Sequence, residues 1–314
     1  MYTIGIDIGG MSIKIGLVNC EGEIVEQLRF KTDKNADESI LKMIDGINVL
    51  LKNNNIKKED ILGIGVGCPG SVKSEIGVID YLPNLGWENI EIASKLKSEF
   101  GVKVKISNDA NVAILGEVVY GCAKGYKTCV MFTIGTGIGG GIIIDGKMFE
   151  GGFSRGAELG HATLIMNGEQ CSCGRKGCVE CYTSATALIK QTKEKMFENK
   201  ESVMWEYVEG DINNVDGRTA FECAKKGDKY AIEVKNKYIE YLGESLLNMF
   251  NIFRPEIFII GGGISAQGEY LIKPLVDYCE KFDYGYKRAP KTKIITAQLG
   301  NDAGIIGAAA LIVE

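Results

Sequence analysis

The sequence predicts an α/β protein of two related lobes, and three observations predict it. Short apolar runs of strand length alternate with longer amphipathic segments, the pattern of strands joined by helices. A glycine-rich hairpin near the N-terminus recurs in the middle of the chain. Glycine is abundant, 41 of 314 residues, against only five prolines. That balance excludes a disordered Gly/Pro-rich chain. It points to backbone that turns sharply or approaches a ligand closely.

Residues 2–30 read as three strands, TIGIDIG, IKIGLVNC and GEIVEQLRF, with Glu21-Gly22 turning between the last two. Ile40, Met43, Ile44, Ile47 and Leu51 have helical spacing and predict a helix over 37–53. A buried strand at 61–67, a helix near 90–100 and a strand at 102–107 follow. The plan then restarts with a strand at 129–135, a glycine turn, a strand within 139–146 and a short strand at 147–149. Residues 5–22 and 131–146 share one order: strand, glycine loop with a small hydroxyl residue, strand, acidic-Gly hairpin. Internal duplication explains this order, with chance likeness of two Gly-rich hairpins as the alternative. A long helix over 230–253 ends at Arg254-Pro255, and a buried strand fills 256–263. No linker or low-complexity stretch separates the halves, which favours two lobes joined by chain crossings with a cleft between them.

The bulk numbers narrow the function classes. The apolar and charged fractions, 45% and 25%, are those of a soluble globular protein, and the net charge of −5 disfavours nucleic acid as a partner. The N-terminus runs directly into a strand, and no stretch of about 18 apolar residues occurs. Cytoplasmic location is expected. The ten cysteines are then core filler, metal ligands or redox groups.

Three glycine loops are candidates for holding a nucleotide. Asp7-Ile8-Gly9-Gly10-Met11-Ser12 lies between two strands, so it is neither a dinucleotide fingerprint nor a Walker loop. Its backbone N–H groups can still reach an anion, with Lys14 beyond them and Asp7 placed to hold Mg²⁺ through water. Gly135-Thr136-Gly137 repeats the arrangement after Thr133, and Gly261-Gly262-Gly263 would let adenine lie against the backbone. A plain tight turn is the alternative for each loop taken alone.

The single histidine falls in a different pattern. His161, Cys171, Cys173 and Cys178 have the composition of a structural Cys₃His zinc site, and Gly174 and Gly177 let the loop fold around an ion. A redox Cys-x-Cys pair or free buried thiols are the alternatives. Cys20, Cys68, Cys122, Cys129, Cys181, Cys223 and Cys279 lack such grouping and are expected in the core. At Asp109, which follows the strand 102–107, the local sequence leaves two readings open: a helix cap or a catalytic carboxylate.

Seven segments occur in order: DIGGMSIK (7–14), GVGCPG (65–70), NDAN (108–111), TIGTGIGGG (133–141), ELGH (158–161), CSCGRKGCVE (171–180) and IFIIGGGIS (257–265). Together they resemble the ROK family of bacterial sugar kinases and sugar-responsive repressors, over about residues 3–311. The resemblance implies the actin/hexokinase-like (ribonuclease H-like) ATPase fold with duplicated lobes. The lobes are expected over 1–117 with 300–314, and over 118–299 with the zinc loop. It implies ATP, Mg²⁺ and structural Zn²⁺, a hexose substrate and a homodimer. Asp109 is then the base. Gly70, Asn108, Glu158, His161 and Glu180 are the sugar ligands, and one His161 nitrogen binds zinc while the other faces the sugar. Asp7, Gly9, Gly10, Ser12, Lys14, Thr133, Gly135, Thr136, Gly137 and Gly261 to Gly263 fall to the nucleotide. Met11 departs from the family's usual Gly-Gly-Thr and removes a hydroxyl. Asn84-Leu85-Gly86-Trp87 resembles the glucokinase-type members, so glucose, phosphorylated at C6, is the expected substrate, with N-acetylmannosamine and fructose as alternatives. Repressor members carry a helix-turn-helix ahead of the first loop, and six residues before Asp7 leave no room for one. A non-catalytic sugar-binding protein is the third class, which Asp109 and the paired loops argue against.

Overall fold

In the computed structural model, which describes residues 1–285, 288 and 290–314, the N-terminal segment folds as β1 (Tyr2–Ile8), β2 (Ser12–Asn19) and β3 (Ile24–Lys31). The period of two is visible on β2, where Ile13, Ile15 and Leu17 are fully buried and Ser12 and Lys14 face the other way. α1 (Ala36–Asn53) covers that apolar face with Ile40, Met43, Ile47 and Leu50. It starts where the Asn35 side chain accepts the Asp37 N–H. The chain continues through β4 (Ile61–Cys68), β5 (Ser71–Lys73), β6 (Val78–Leu82), β7 (Trp87–Ile90), α2 (Ile92–Phe100), β8 (Lys103–Asn108) and α3 (Asp109–Val119). The small antiparallel sheet β5-β6-β7 is not predicted from sequence, because its strands are short and interrupted by polar residues.

The second series is β9 (Cys129–Ile134), β10 (Ile138–Ile144), β11 (Lys147–Met148), α4 (Glu180–Thr183), α5 (Ala185–Glu198), α6 (Met204–Tyr207), α7 (Thr219–Lys225), α8 (Lys229–Phe253), β12 (Ile257–Gly261), α9 (Glu269–Phe282) and β13 (Lys293–Thr296). Asp228 caps α8, and Arg254 ends it at φ 41° before Pro255. The chain closes with α10 (Ala303–Val313).

The two five-stranded sheets run β3-β2-β1-β4-β8 and β11-β10-β9-β12-β13. Counted within each series by order of pairing, both read third, second, first, then two later strands added in parallel. The duplicated α/β plan expected from the two glycine hairpins is therefore built into the strand order. The actin/hexokinase-like fold accounts for both sheets.

The chain divides into two compact units. One comprises Met1–Lys127, Gly141–Ala157 and Gln298–Glu314, and the other Thr128–Gly140 and Glu158–Ala297. The expected division left 118–127 and 141–157 with the second lobe; here both segments fall in the first unit. Within the first unit α10 packs against α3 at very short range. A Cβ on Gly307 would lie 1.8 Å from the Val112 carbonyl oxygen, so only glycine lets the two helices meet there. No helix among the described residues is long and apolar enough to cross a membrane.

Candidate active site

β1, β4 and β8 are parallel, so their carboxyl ends share one edge of the first sheet. Ligands of open α/β sheets bind beyond that kind of edge. β1 brings Asp7 and the turn Gly9-Gly10-Met11 there, β4 leads to Gly70, and β8 ends at Asn108 with Asp109 next. Cys68, the last residue of β4, sits among them. Burial pushes its thiol far above the usual range, and the charges of Asp109 and Asp7 add to the shift.

The helix cap proves to be Asn108. Its Oδ1 accepts the Ala110 N–H at 2.9 Å, and its Nδ2 donates to the Gly70 carbonyl at 3.3 Å. Asp109 is the first residue inside α3, with Oδ1 2.8 Å from the same Ala110 nitrogen. The capping role weighed for Asp109 therefore belongs mainly to its neighbour. Asn108 and Gly70, both expected at the sugar, are bonded to each other.

The first glycine turn is closed by Gly9 N–H donating to the Ser12 carbonyl at 3.0 Å. Asp7 and Lys14 are ladder partners and form an ion pair at 3.3 Å, and Lys14 Nζ also donates to the Asn301 carbonyl at 3.0 Å. Met11 is 85% exposed at the tip. Ser12 Oγ accepts from Arg29 Nε at 3.0 Å. Arg29 was missed in the sequence. Its signal was the alternation that places Arg29 and Lys31 across from Lys14 and Ser12 once β2 and β3 pair.

In the second unit β9 and β12 are parallel neighbours, with Thr133 opposite Gly261. Gly135-Thr136-Gly137 and Gly261-Gly262-Gly263 thus leave adjacent strand ends. The Gly135 carbonyl accepts the Ala185 N–H at 2.9 Å, and the Thr136 carbonyl accepts from Thr186 Oγ1 at 2.8 Å. Glu180, the first residue of α4, accepts the Ile138 N–H through Oε2 at 2.9 Å, while its Oε1 lies 4.0 Å from Cys171 Sγ. One side of the expected sugar ligand Glu180 therefore holds the second glycine turn.

His161, Cys171, Cys173 and Cys178 converge, their ligand atoms all within 4.8 Å of one another. Cys171 Sγ is 3.6 Å from His161 Nδ1, and Cys173 and Cys178 Sγ are 3.7 Å apart. A tetrahedral ion with bonds of about 2.3 Å sets its ligands about 3.7 Å apart, so the donor set fits one. Because Nδ1 faces the thiols, Nε2 lies on the far side of the ring. Burial works against ionising Cys171, but hydrogen bonds from Cys173, Cys178 and His161 pull its thiol down to about 6. Burial and the neighbouring thiols push Cys178 up to about 12. Gly177, at φ 77°, lets the loop double back: Leu164 and Ile165 both donate to its carbonyl, and a Cβ there would lie 1.6 Å from the Ile165 oxygen. Arg175, also missed from sequence, donates to the His161 carbonyl at 3.3 Å and to Thr163 Oγ1 at 2.8 Å. Glu158 is exposed, and its carbonyl accepts the His161 N–H at 3.0 Å. Of the cysteines expected in the core, Cys20 is exposed in the turn after β2, Cys122 is half-buried in the turn after α3, and Cys181 is half-buried within the short helix α4.

The family model described as "ROK family" matches residues 3–314. The chain belongs to the ROK family. A glucokinase of Halalkalibacterium halodurans is 35% identical over 98% of this chain and 93% of its own length. A ROK family glucokinase from Streptomyces griseus, solved in complex with glucose and AMPPNP, matches with a TM-score of 0.83 at 31% identity, covering 99% of both chains. The xylose repressor of Caldicellulosiruptor bescii is 30% identical over 99% of this chain and 78% of its own length.

Proposed function

We propose that this ROK protein is an ATP-dependent glucose kinase that phosphorylates the C6 hydroxyl. The observation that carries the reading is the placing of Asp109 at the strand edge that also bears the Asp7–Lys14 turn. Phosphoryl transfer asks a protein chiefly for positioning and for charge to meet the phosphates. Both kinds of group are present at that edge. Glucose is favoured over other hexoses by the full-length likeness to glucokinases, one of them solved with glucose and AMPPNP.

In this reading Asp109 orients the sugar hydroxyl and accepts its proton as the new P–O bond forms. Gly70 through its backbone, Asn108, Glu158, His161 and Glu180 are assigned to the sugar hydroxyls. Lys14, the Gly9–Ser12 backbone, Thr133, the Gly135–Gly137 backbone with the Thr136 hydroxyl, and Gly261–Gly263 are assigned to the nucleotide. Asp7 is assigned to a phosphate-bound Mg²⁺, whose chemistry is charge neutralisation. His161, Cys171, Cys173 and Cys178 are assigned to zinc, which supplies structural order: with Nδ1 turned to the thiols, the ring is oriented and Nε2 is available to a hydroxyl.

A coupled ADP-release assay over a panel of hexoses and N-acetylhexosamines tests the proposal. Glucose should give the highest kcat/KM. No ADP release with any sugar would overturn the kinase reading, and preference for N-acetylmannosamine or fructose would overturn the choice of glucose. Similarity to the xylose repressor favours a second reading, a sugar-sensing regulator. That reading predicts sugar binding without ATP turnover in the same assay.

A further inference from the structure

Glu117 lies in an otherwise apolar stretch of α3, and it is fully buried. Burying a carboxylate is costly unless its charge is met. Here the main chain meets it. Oε1 accepts the N–H groups of Gln298 and Leu299, each at 2.8 Å, and Oε2 accepts that of Cys122 at 3.0 Å. The Glu117 carbonyl also accepts from Gly121 and Ala123. Hydrogen bonds to an ionised acceptor are shorter and stronger than neutral ones, so this is a firm, directional tie. It joins α3 both to the turn that follows it and to the segment by which the chain returns to the first unit at Gln298.

Each tied element carries part of the candidate chemistry. α3 carries Asp109 at its start, two turns or about 12 Å along the axis from Glu117. The segment after Gln298 carries the partners of the first glycine turn. The Asn301 carbonyl accepts from Lys14 Nζ, and Gly304 lies so close to Asp7 that a Cβ would fall 2.5 Å from its carboxyl carbon. A continuous set of contacts therefore runs from Glu117 through Leu299 and Asn301 to Lys14 and Asp7, while the helix itself runs from Glu117 to Asp109.

We propose that Glu117 is a positioning residue for phosphoryl transfer, holding the Asp109 helix in register with the Lys14–Asp7 phosphate group. This rests on the kinase reading above. Glu117→Gln keeps the shape but turns one acceptor into a donor facing main-chain N–H groups. A small misplacement remote from the chemistry can cost about 10²-fold. The variant should lose about 10- to 100-fold in kcat while KM for glucose stays within about threefold. In an Asp109→Asn background the same change should cost less than about threefold more, because the register it sets no longer serves a base. A Glu117→Gln protein that melts earlier but keeps its kcat would overturn the proposal, as would a loss that multiplies in full with Asp109→Asn. Absence of ADP release from the wild-type protein with every hexose would instead overturn the kinase reading, and it is measured before any variant. Hydrogen exchange on the wild-type chain covers the case in which the variant does not fold. AMPPNP with Mg²⁺ should slow exchange at 121–123 together with 298–301, and slowing confined to 298–301 would overturn the coupling.

Discussion

The turn between β1 and β2 and the turn between β9 and β10 hold the same place in sheets of the same strand order, yet they are fixed by different chemistry. The first is set among side-chain charges: Asp7 with Lys14, Lys14 with the Asn301 carbonyl, and Arg29 with Ser12. The second is tied mainly through its own backbone. Its Gly135 and Thr136 carbonyls are taken by the start of α5, and the Ile138 N–H is held by Glu180. The difference teaches that duplication preserved the backbone plan and left the side chains free to divide the work. One turn carries the cationic Lys14. The other carries the Thr136 hydroxyl, and through Glu180 it is linked to the thiol cluster.

The largest expected effect breaks the second turn without touching the first. Protein purified without chelators should contain about one zinc per chain by elemental analysis. Cys178→Ser should remove it and raise KM for glucose on the order of 100-fold. Hydrogen exchange should then quicken at 134–138 and 158–183 and stay unchanged at 7–14. Zinc-free wild-type protein, or equal loosening of both turns, would contradict the assignment.

Lys14→Met tests the charged turn. Hydrogen bonds to charged groups contribute about 1.5–3 kcal/mol, so kcat/KM for ATP should fall about 10- to 100-fold with KM for glucose nearly constant. Thr136→Val should do less, about 2- to 10-fold, because it removes a neutral hydroxyl. Steady-state kinetics on the two variants sharpen the comparison; equal losses would mean that both turns work by charge. The smallest effect is expected from Met11→Thr. Its side chain is 85% exposed, so restoring the hydroxyl should leave the melting temperature unchanged and raise kcat/KM for ATP by no more than about threefold.

The parts legible in the sequence are those with local patterns. The alternation Ile13, Ile15, Leu17, the helical spacing of α1 and α8, and the tight His161–Cys178 spacing each state their geometry within a few residues. The β5-β6-β7 sheet was illegible because strands this short show no usable period. The cap was read at Asp109 when it belongs to Asn108, one residue earlier, because both side chains can accept the same N–H. Glu117 was hidden for a different reason. Its partners are main-chain N–H groups far along the chain, and a main-chain donor leaves no trace in residue type. A lone carboxylate inside an apolar helix run was the available signal.

Asp109→Asn gives the most direct measurement of how the sugar is phosphorylated. Calorimetry should show glucose bound within about threefold of the wild-type affinity, while kcat falls by at least about 10²-fold, the contribution of a general base. Near-normal turnover in that variant would contradict the role assigned to Asp109.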